Sequence, residues 1–153
     1  MAYEFYVTIE GSQQGKLKGD SKRKAHKDAI TGLAFEYAVT SPRDAGSGQA
    51  TGRRQHSPIA ITKRWGASTP QLFQALVTNE LLKSVLIEFV KTSPQGKEIV
   101  YHTITLTNAN VVSIEQYANP EDHELEEISI SFQKIEIENN DGGISAMDDW
   151  HAA

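Results

Sequence analysis

The chain of 153 residues contains no cysteine. Disulfides, thiol nucleophiles and cysteine-ligated zinc are therefore excluded, and the absence fits a chain made in a reducing compartment. No stretch approaches the ~20 apolar residues of a membrane-spanning helix. The opening MAYEFYVTIEG has no basic segment followed by an apolar run, so a soluble product exported without a cleaved N-terminal signal is expected. Basic residues almost vanish beyond residue 114: residues 115–153 hold one lysine against eleven acids, a charge of −10, while residues 1–64 hold eleven Lys/Arg against six Asp/Glu, a charge of +5. With three of each sign between them the total is −5. Such end-to-end polarity lets the basic surface of one copy meet the acidic surface of another, the requirement for head-to-tail association.

Recognisable chemistry is also scarce. The histidines His26, His56, His102, His123 and His151 are scattered with no pair at metal-ligand spacing. His102, between Tyr101 and Thr103, reads as a wall residue of a strand. The run EDHELEE lacks the Asp/Asn/Gly pattern of a calcium loop. The stretch GSGQATG has neither the Lys-Ser/Thr nor the following helix of a phosphate loop, and no serine sits at a strand-to-helix elbow. The basic run KLKGDSKRKAHK has no interleaved aromatics on which bases would stack, and the acidic half repels phosphates, which argues against nucleic acid. No active site, cofactor site or metal site emerges.

What is present is strand periodicity. In YEFYVTI, Tyr3, Phe5, Val7 and Ile9 share one face while Glu4, Tyr6 and Thr8 face solvent. Further strand-like runs cover 30–40, 58–65, 83–91, 98–117 and 126–138, giving six or seven strands, mostly antiparallel. Two of them change phase. Ile128, Ile130 and Phe132 share a parity that Ile135 and Ile137 leave, with the slip at Gln133 and Lys134; the run around TNAN, before Val111, Val112 and Ile114, blurs in the same way. One-residue slips of this kind are β-bulges, which long strands need when a sheet coils into a barrel.

The fold class is therefore mainly β: an antiparallel β-barrel of two packed sheets, with one lateral α-helix and a long extended loop. The helix is expected in STPQLFQALVTNELL, with Ser68 or Thr69 as cap, Pro70 at the first helical position and an apolar stripe of Leu72, Phe73, Leu76 and Val77. It packs on the barrel wall or plugs one end. Two polar segments, 11–28 and 41–58, read as long loops, and loops of that length are usually functional or disordered. The sequence divides into a barrel domain, 1–138, and a tail, 139–153, that leaves the strand pattern; in it Met147, Asp148, Asp149 and Trp150 are a candidate partner-binding group.

Taken in order, the opening strand, SKRKAHKDAI, AFEYAVTSPRD, ITKRWGASTPQLFQAL, YHTITLTNANV and ISISFQKIEIE resemble the haemolysin-coregulated protein family, the inner-tube subunits of the bacterial type VI secretion system. The likeness is strongest from Thr62 to Leu76 and covers nearly the whole chain. Many members carry an Asp where this chain has Trp65 or Gly66, and the tail with MDDW is not universal. The resemblance implies a non-enzymatic subunit that closes into hexameric rings. The rings stack into a hollow tube, akin to contractile phage tail tubes, which carries effectors and is exported with them from the bacterial cytoplasm. The implied partners are further copies of the chain, sheath, spike and effector proteins, without nucleic acid or membrane insertion. It also implies that the arm 41–58 contacts the adjacent ring, making Arg43, Asp44, Gln49, Arg53, Arg54 and Gln55 the candidate ring-stacking residues, with the arginines pairing acids of a neighbour. Lys63 and Arg64 are expected on opposite faces of the following strand. The competing readings are a monomeric barrel with a ligand inside, a hydrolase built on a histidine, and the tail tube of a released phage-like particle.

Overall fold

The computed structural model describes residues 5–150; the expectations for Tyr3, Glu4 and His151 fall outside them. Strand β1 (Phe5–Gly11) leads into the short β2 (Gly15–Lys16), a 3-10 turn at Lys24–His26, β3 (Ile30–Gly32) and β4 (Ala34–Glu36). Then come β5 (Val39–Thr40), β6 (Gln55–His56), β7 (Ile59–Arg64), helix α1 (Ser68–Val77), β8 (Leu82–Thr92), β9 (Glu98–Asn119), β10 (His123–Asn139) and β11 (Ile144–Asp149). The large sheet runs β2-β1-β8-β9-β10-β7-β4, antiparallel throughout, with β11 on β10 and β3 back on β1. Since β3 and β4 are separated only by Leu33, one continuous segment pairs with β1 in its first half and β7 in its second. That segment closes the barrel.

β9 and β10 run through both halves of the large sheet. Residues 125–130 of β10 pair with β7, and residues 134–139 pair with β11, while β9 follows β10 along its length. The corner lies where the phase slips are expected. Asn108 takes a left-handed φ of 52° and, with its neighbour Gln133, drops out of the ladder between Phe132↔Ala109 and Lys134↔Thr107. Its amide donates instead to Gln133 Oε1 at 3.0 Å. A second irregularity follows: Ser129 pairs with Ser113 and Ile130 with Val111, which leaves Val112 as the extra residue of a bulge. Strands that change sheets at such bends turn a flat sheet into a two-layered barrel.

Phe5, Val7, Ile9, Ile59, Ile61, Ile87, Leu106, Ile128 and Ile130 fill the interior. The space left among Val7, Ile9, Ile30, Ile61, Lys63, Leu72, Ile128 and Ile130 is a cavity of ≈ 10 Å³, about what a single water requires. That space, among the described residues, is too small for a small-molecule ligand.

Three local expectations are corrected. Tyr6, assigned to solvent, is 2% exposed because the segment 11–28 folds back over β1. His26 stacks on the Tyr6 ring at 4.2 Å and an interplanar angle of 7°, Leu17 is buried, and Gly19 and Ser21 N–H donate to Asp28 and Ala29 carbonyls. A basic surface thus rides on an apolar underside, not on a free loop. Helix α1 buries Ser68, Leu72 and Ala75, while Phe73 (54%) and Val77 (56%) stay exposed. No side chain caps it: Thr69 Oγ1 accepts Gly66 N–H and donates to Glu126, so Pro70 becomes the third helical residue. Finally, residues 144–149 of the tail form β11, in register with β10 from Asn139↔Ile144 to Lys134↔Asp149. The turn NNDGG supplies the hairpin, with Gly143 at φ 65°.

The expected alternation of Lys63 and Arg64 holds. Arg64 is exposed, whereas Lys63 (3% exposed) meets Glu126 (0%) directly across β7 and β10.

Candidate assembly site at the arm root

The arm 41–54 is an ordered ribbon, solvent-exposed over most of its length. Val39 pairs with His56 and Thr40 with Gln55 at its root, and Arg43 bridges Ala50 higher up. The tip is an aspartate turn: Ser47 N–H and Oγ both donate to Asp44 Oδ2 at 2.8 Å, Asp44 N–H donates to Gln49 O at 2.7 Å, and Gly48 (φ 73°) reverses the chain. The Ser47 hydroxyl, followed by its backbone N–H, holds the Asp44 carboxyl below its usual range. Asp and Ser in this spacing make a turn from local bonds alone. Of the six predicted arm residues, Arg43, Asp44 and Gln49 lie out along this ribbon, while Arg53, Arg54 and Gln55 lie at or near its root.

At the root the arm meets the C-terminal strand of its own chain. Arg54 Nε donates to Asp148 Oδ2 at 2.6 Å and its Nη2 to Asp149 O at 3.0 Å; Arg53 Nη2 donates to Trp150 O at 2.8 Å. His56, its side chain only 5% exposed, sits between Asp148 Oδ2 (2.6 Å from Nε2) and Tyr37 OH (2.5 Å from Nδ1). A carboxylate only accepts, so Nε2 carries a proton and donates to Asp148, while Nδ1 and the Tyr37 hydroxyl share the second hydrogen bond. Trp150 packs edge-on against His56 at 4.8 Å, and Phe132 does so at 5.4 Å.

Arg53 and Arg54, expected to pair with a neighbour's acids, are bonded within their own chain. Arg54 takes its acid from its own β11, because the β10–β11 hairpin carries Asp148 back beside the arm root. Likewise, the group Met147, Asp148, Asp149 and Trp150 is divided. Met147 is exposed, whereas the other three join the intrachain contact. The partners are 94 residues apart in sequence, and no periodicity signals such a pairing.

The hydrogen bonds from Arg54 and then His56 outweigh burial and lower the Asp148 pKa from 3.8 to about 2. A depressed carboxylate stabilises the fold above its unfolded value and loses that contribution as pH falls through its folded value. The contact is therefore expected to be intact at pH 4 and above and to fail only as pH drops toward about 2. A side-chain NMR titration of Asp148 checks this, with Arg54→Ala expected to return the midpoint toward 3.8.

Two further kinds of surface are exposed. Ile144 (71% exposed) and Met147 (57%) lie on β11, whose outer edge carries no strand among the described residues. The charge polarity also survives folding. Lys16, Lys18, Lys22, Arg23, Lys24 and Lys27 are all exposed, and Arg23 is bonded at 2.7 Å to Glu98 at the start of β9. Glu115, Glu121, Asp122, Glu124 and Glu127 are exposed around the far end of β9. His102 lies in β9 against Phe89 at 5.9 Å, as a wall residue, and His123 stands exposed at the β9–β10 turn. Among the described residues no group of three or more acids or histidines is placed to hold a metal, and no helix is long and apolar enough to cross a membrane.

Residues 6–138 match the family described as type VI secretion system effector, Hcp. The sequence is 32% identical to the major exported protein of Pseudomonas aeruginosa, over 99% of this chain and 98% of that one. The fold superposes on the crystal structure of an Hcp protein with a TM-score of 0.89 at 32% identity, covering 97% of this chain and 100% of the other. An engineered Hcp1 from E. coli EAEC 042 pathovar gives 0.89 at 28% identity over 97% and 99%. The sequence match spans the barrel, both halves of the bent β9–β10 pair and the arm, and by that measure the chain belongs to the Hcp family of the type VI secretion system.

Proposed function

We propose that this chain is a structural subunit of the type VI secretion tube: copies close into hexameric rings, and the rings stack around a continuous channel. The observation that supports this most is the whole-length likeness to Hcp structures, combined with a barrel whose interior is filled. A conduit made from such protomers has to lie between copies. The exposed β11 edge with Ile144 and Met147, and the apolar pair Phe73 and Val77 on α1, offer surface for burial against neighbours. An open strand edge is a liability unless something covers it.

In this reading the arm 41–54, with Arg43, Asp44 and Gln49 toward its tip, reaches the adjacent ring. The basic surface of 16–27 and the acidic end of the β9–β10 pair orient one copy against the next. Exposed ion pairs contribute only ~0–1 kcal/mol each, so they set register while apolar contact supplies cohesion. The protein has no catalytic role in this scheme. It is exported with the machine, and effectors travel in the channel between a sheath outside and a spike ahead; the Pseudomonas relative is named a major exported protein.

Electron microscopy of the purified protein tests the ring directly: annular particles with a central hole, and light scattering at six times the chain mass, are expected. A species that stays monomeric at high concentration would end the proposal. Raising salt shortens the screening length to ~3 Å at 1 M, so stacks are expected to break into single rings that themselves persist. Stacks indifferent to salt would remove the electrostatic part of the reading.

A further inference from the structure

We propose that the C-terminal strand β11 positions the arm, so that a ring can present its arms to a second ring only while Asp148 is engaged. This rests on the tube reading above. The arm is a two-stranded ribbon joined to the barrel by two short segments, Tyr37–Ala38 on one side and Ser57–Pro58 on the other. Those segments bond to each other through Ser57 N–H to Ala38 O and Ala38 N–H to Ser57 Oγ, and the base of the arm rests on the barrel where Tyr37 and His56 pack against Phe132 at 6.1 and 5.4 Å. A ribbon tethered that way pivots at its base unless a lateral contact sets its angle.

The lateral contact is present on one side. Arg53, Arg54 and His56, on the returning strand, bond to Trp150 O, Asp149 O and the Asp148 carboxylate. β11 is in turn held by its full register with β10, and Trp150 N–H donates to Gln133 O at 2.8 Å. Gln133 is the residue at the barrel corner, next to Asn108. A chain of direct bonds therefore runs from the bent corner of β9 and β10, through Trp150 and Asp148, to the arm root. Asp148 is the junction, accepting from both Arg54 and His56. Charge-assisted bonds of this type are short and directional, which suits a residue that fixes an angle.

The chain has no cysteine, so Ala45→Cys at the arm tip, which spares the bonds between Ser47 and Asp44, accepts a single fluorescent probe whose anisotropy reports arm motion. In that background Asp148→Ala is expected to lower the anisotropy, to lower the unfolding midpoint by the lost carboxylate contribution while leaving ring size unchanged, and to reduce the fraction of stacked rings about tenfold. Arg53→Ala with Arg54→Ala, made from the arm side, should reproduce all three effects. An unchanged anisotropy in both variants would overturn the latch. So would a mobile arm with undiminished stacking, since the arm angle would then not govern ring contact. Should the unsubstituted chain form no stacks, the tube reading is what fails, and the probe alone still decides whether β11 holds the arm.

Discussion

Glu126→Ala is expected to destabilise the protein by about 3–5 kcal/mol, the range for removing one partner of a buried ion pair. Glu126 is 0% exposed and receives Lys63 Nζ, Thr69 Oγ1 at 2.5 Å and Gln116 Nε2 at 3.3 Å. Alanine would leave the Lys63 ammonium, 3% exposed, beside the apolar side chains of Ile61, Ile128 and Ile130 with only Arg64 O and Thr69 Oγ1 as partners. Helix α1 would also lose its link to β10, because Thr69 in its first turn bonds that carboxylate. The double variant Lys63→Met with Glu126→Leu removes both charges, and replacing a buried pair by apolar groups of similar volume is often neutral or stabilising. Urea unfolding should show a large drop in midpoint for Glu126→Ala and recovery in the double variant. If the double variant is as unstable as the single one, the penalty does not come from an orphaned charge.

The second large effect is expected at Gly32, where the barrel closes. Gly32 pairs with Phe5 across β3 and β1, and the Phe5 ring lies over the position that a Cβ would occupy. That ring is locked in a cluster with Phe89 at 5.0 Å and Phe35 at 6.1 Å, so it has nowhere to move. Gly32→Val therefore forces the seam apart, and overpacking of this kind costs about 1–3 kcal/mol or more. Ring formation should fall with it, since β1 and β7 would no longer be bridged. Phe5→Leu in the Gly32→Val background should restore part of the lost unfolding midpoint by making room. A Gly32→Val protein as stable as its parent would show that the seam is not tightly packed.

Both effects show where reading the sequence stopped. The alternation of Phe5, Val7 and Ile9, the parity slip before Ile135, the helix from Ser68 and the arm from Ser41 follow from spacing, and the structure contains each of them. The likeness to Hcp was likewise carried by local segments. Charge, by contrast, was misleading without coordinates. Lys63 stands among the eleven basic residues of 1–64, and Glu126 among the eleven acids of 115–153. Their pairing depends on which strands are neighbours and on a register that puts the two residues face to face. The helix face shows the same limit: Phe73 and Leu72 are equally apolar, and only the direction from which the wall approaches makes Leu72 buried and leaves Phe73 outside. The tail reads as polar and irregular because β11 is an edge strand whose first four residues are all exposed, so no buried face imposes an alternation on them.

Residue order by itself determined the strand class, the bends, the single helix, the arm and the family, because each is written in repeats of two or four residues or in contiguous segments. The tertiary structure alone decided that Tyr6 is covered, that Lys63 meets Glu126, and that Asp148 joins Arg54 and His56 across more than ninety residues of chain. The reason is physical: periodicity records which way a side chain points from its own backbone, whereas a contact also depends on what the rest of the chain brings opposite it.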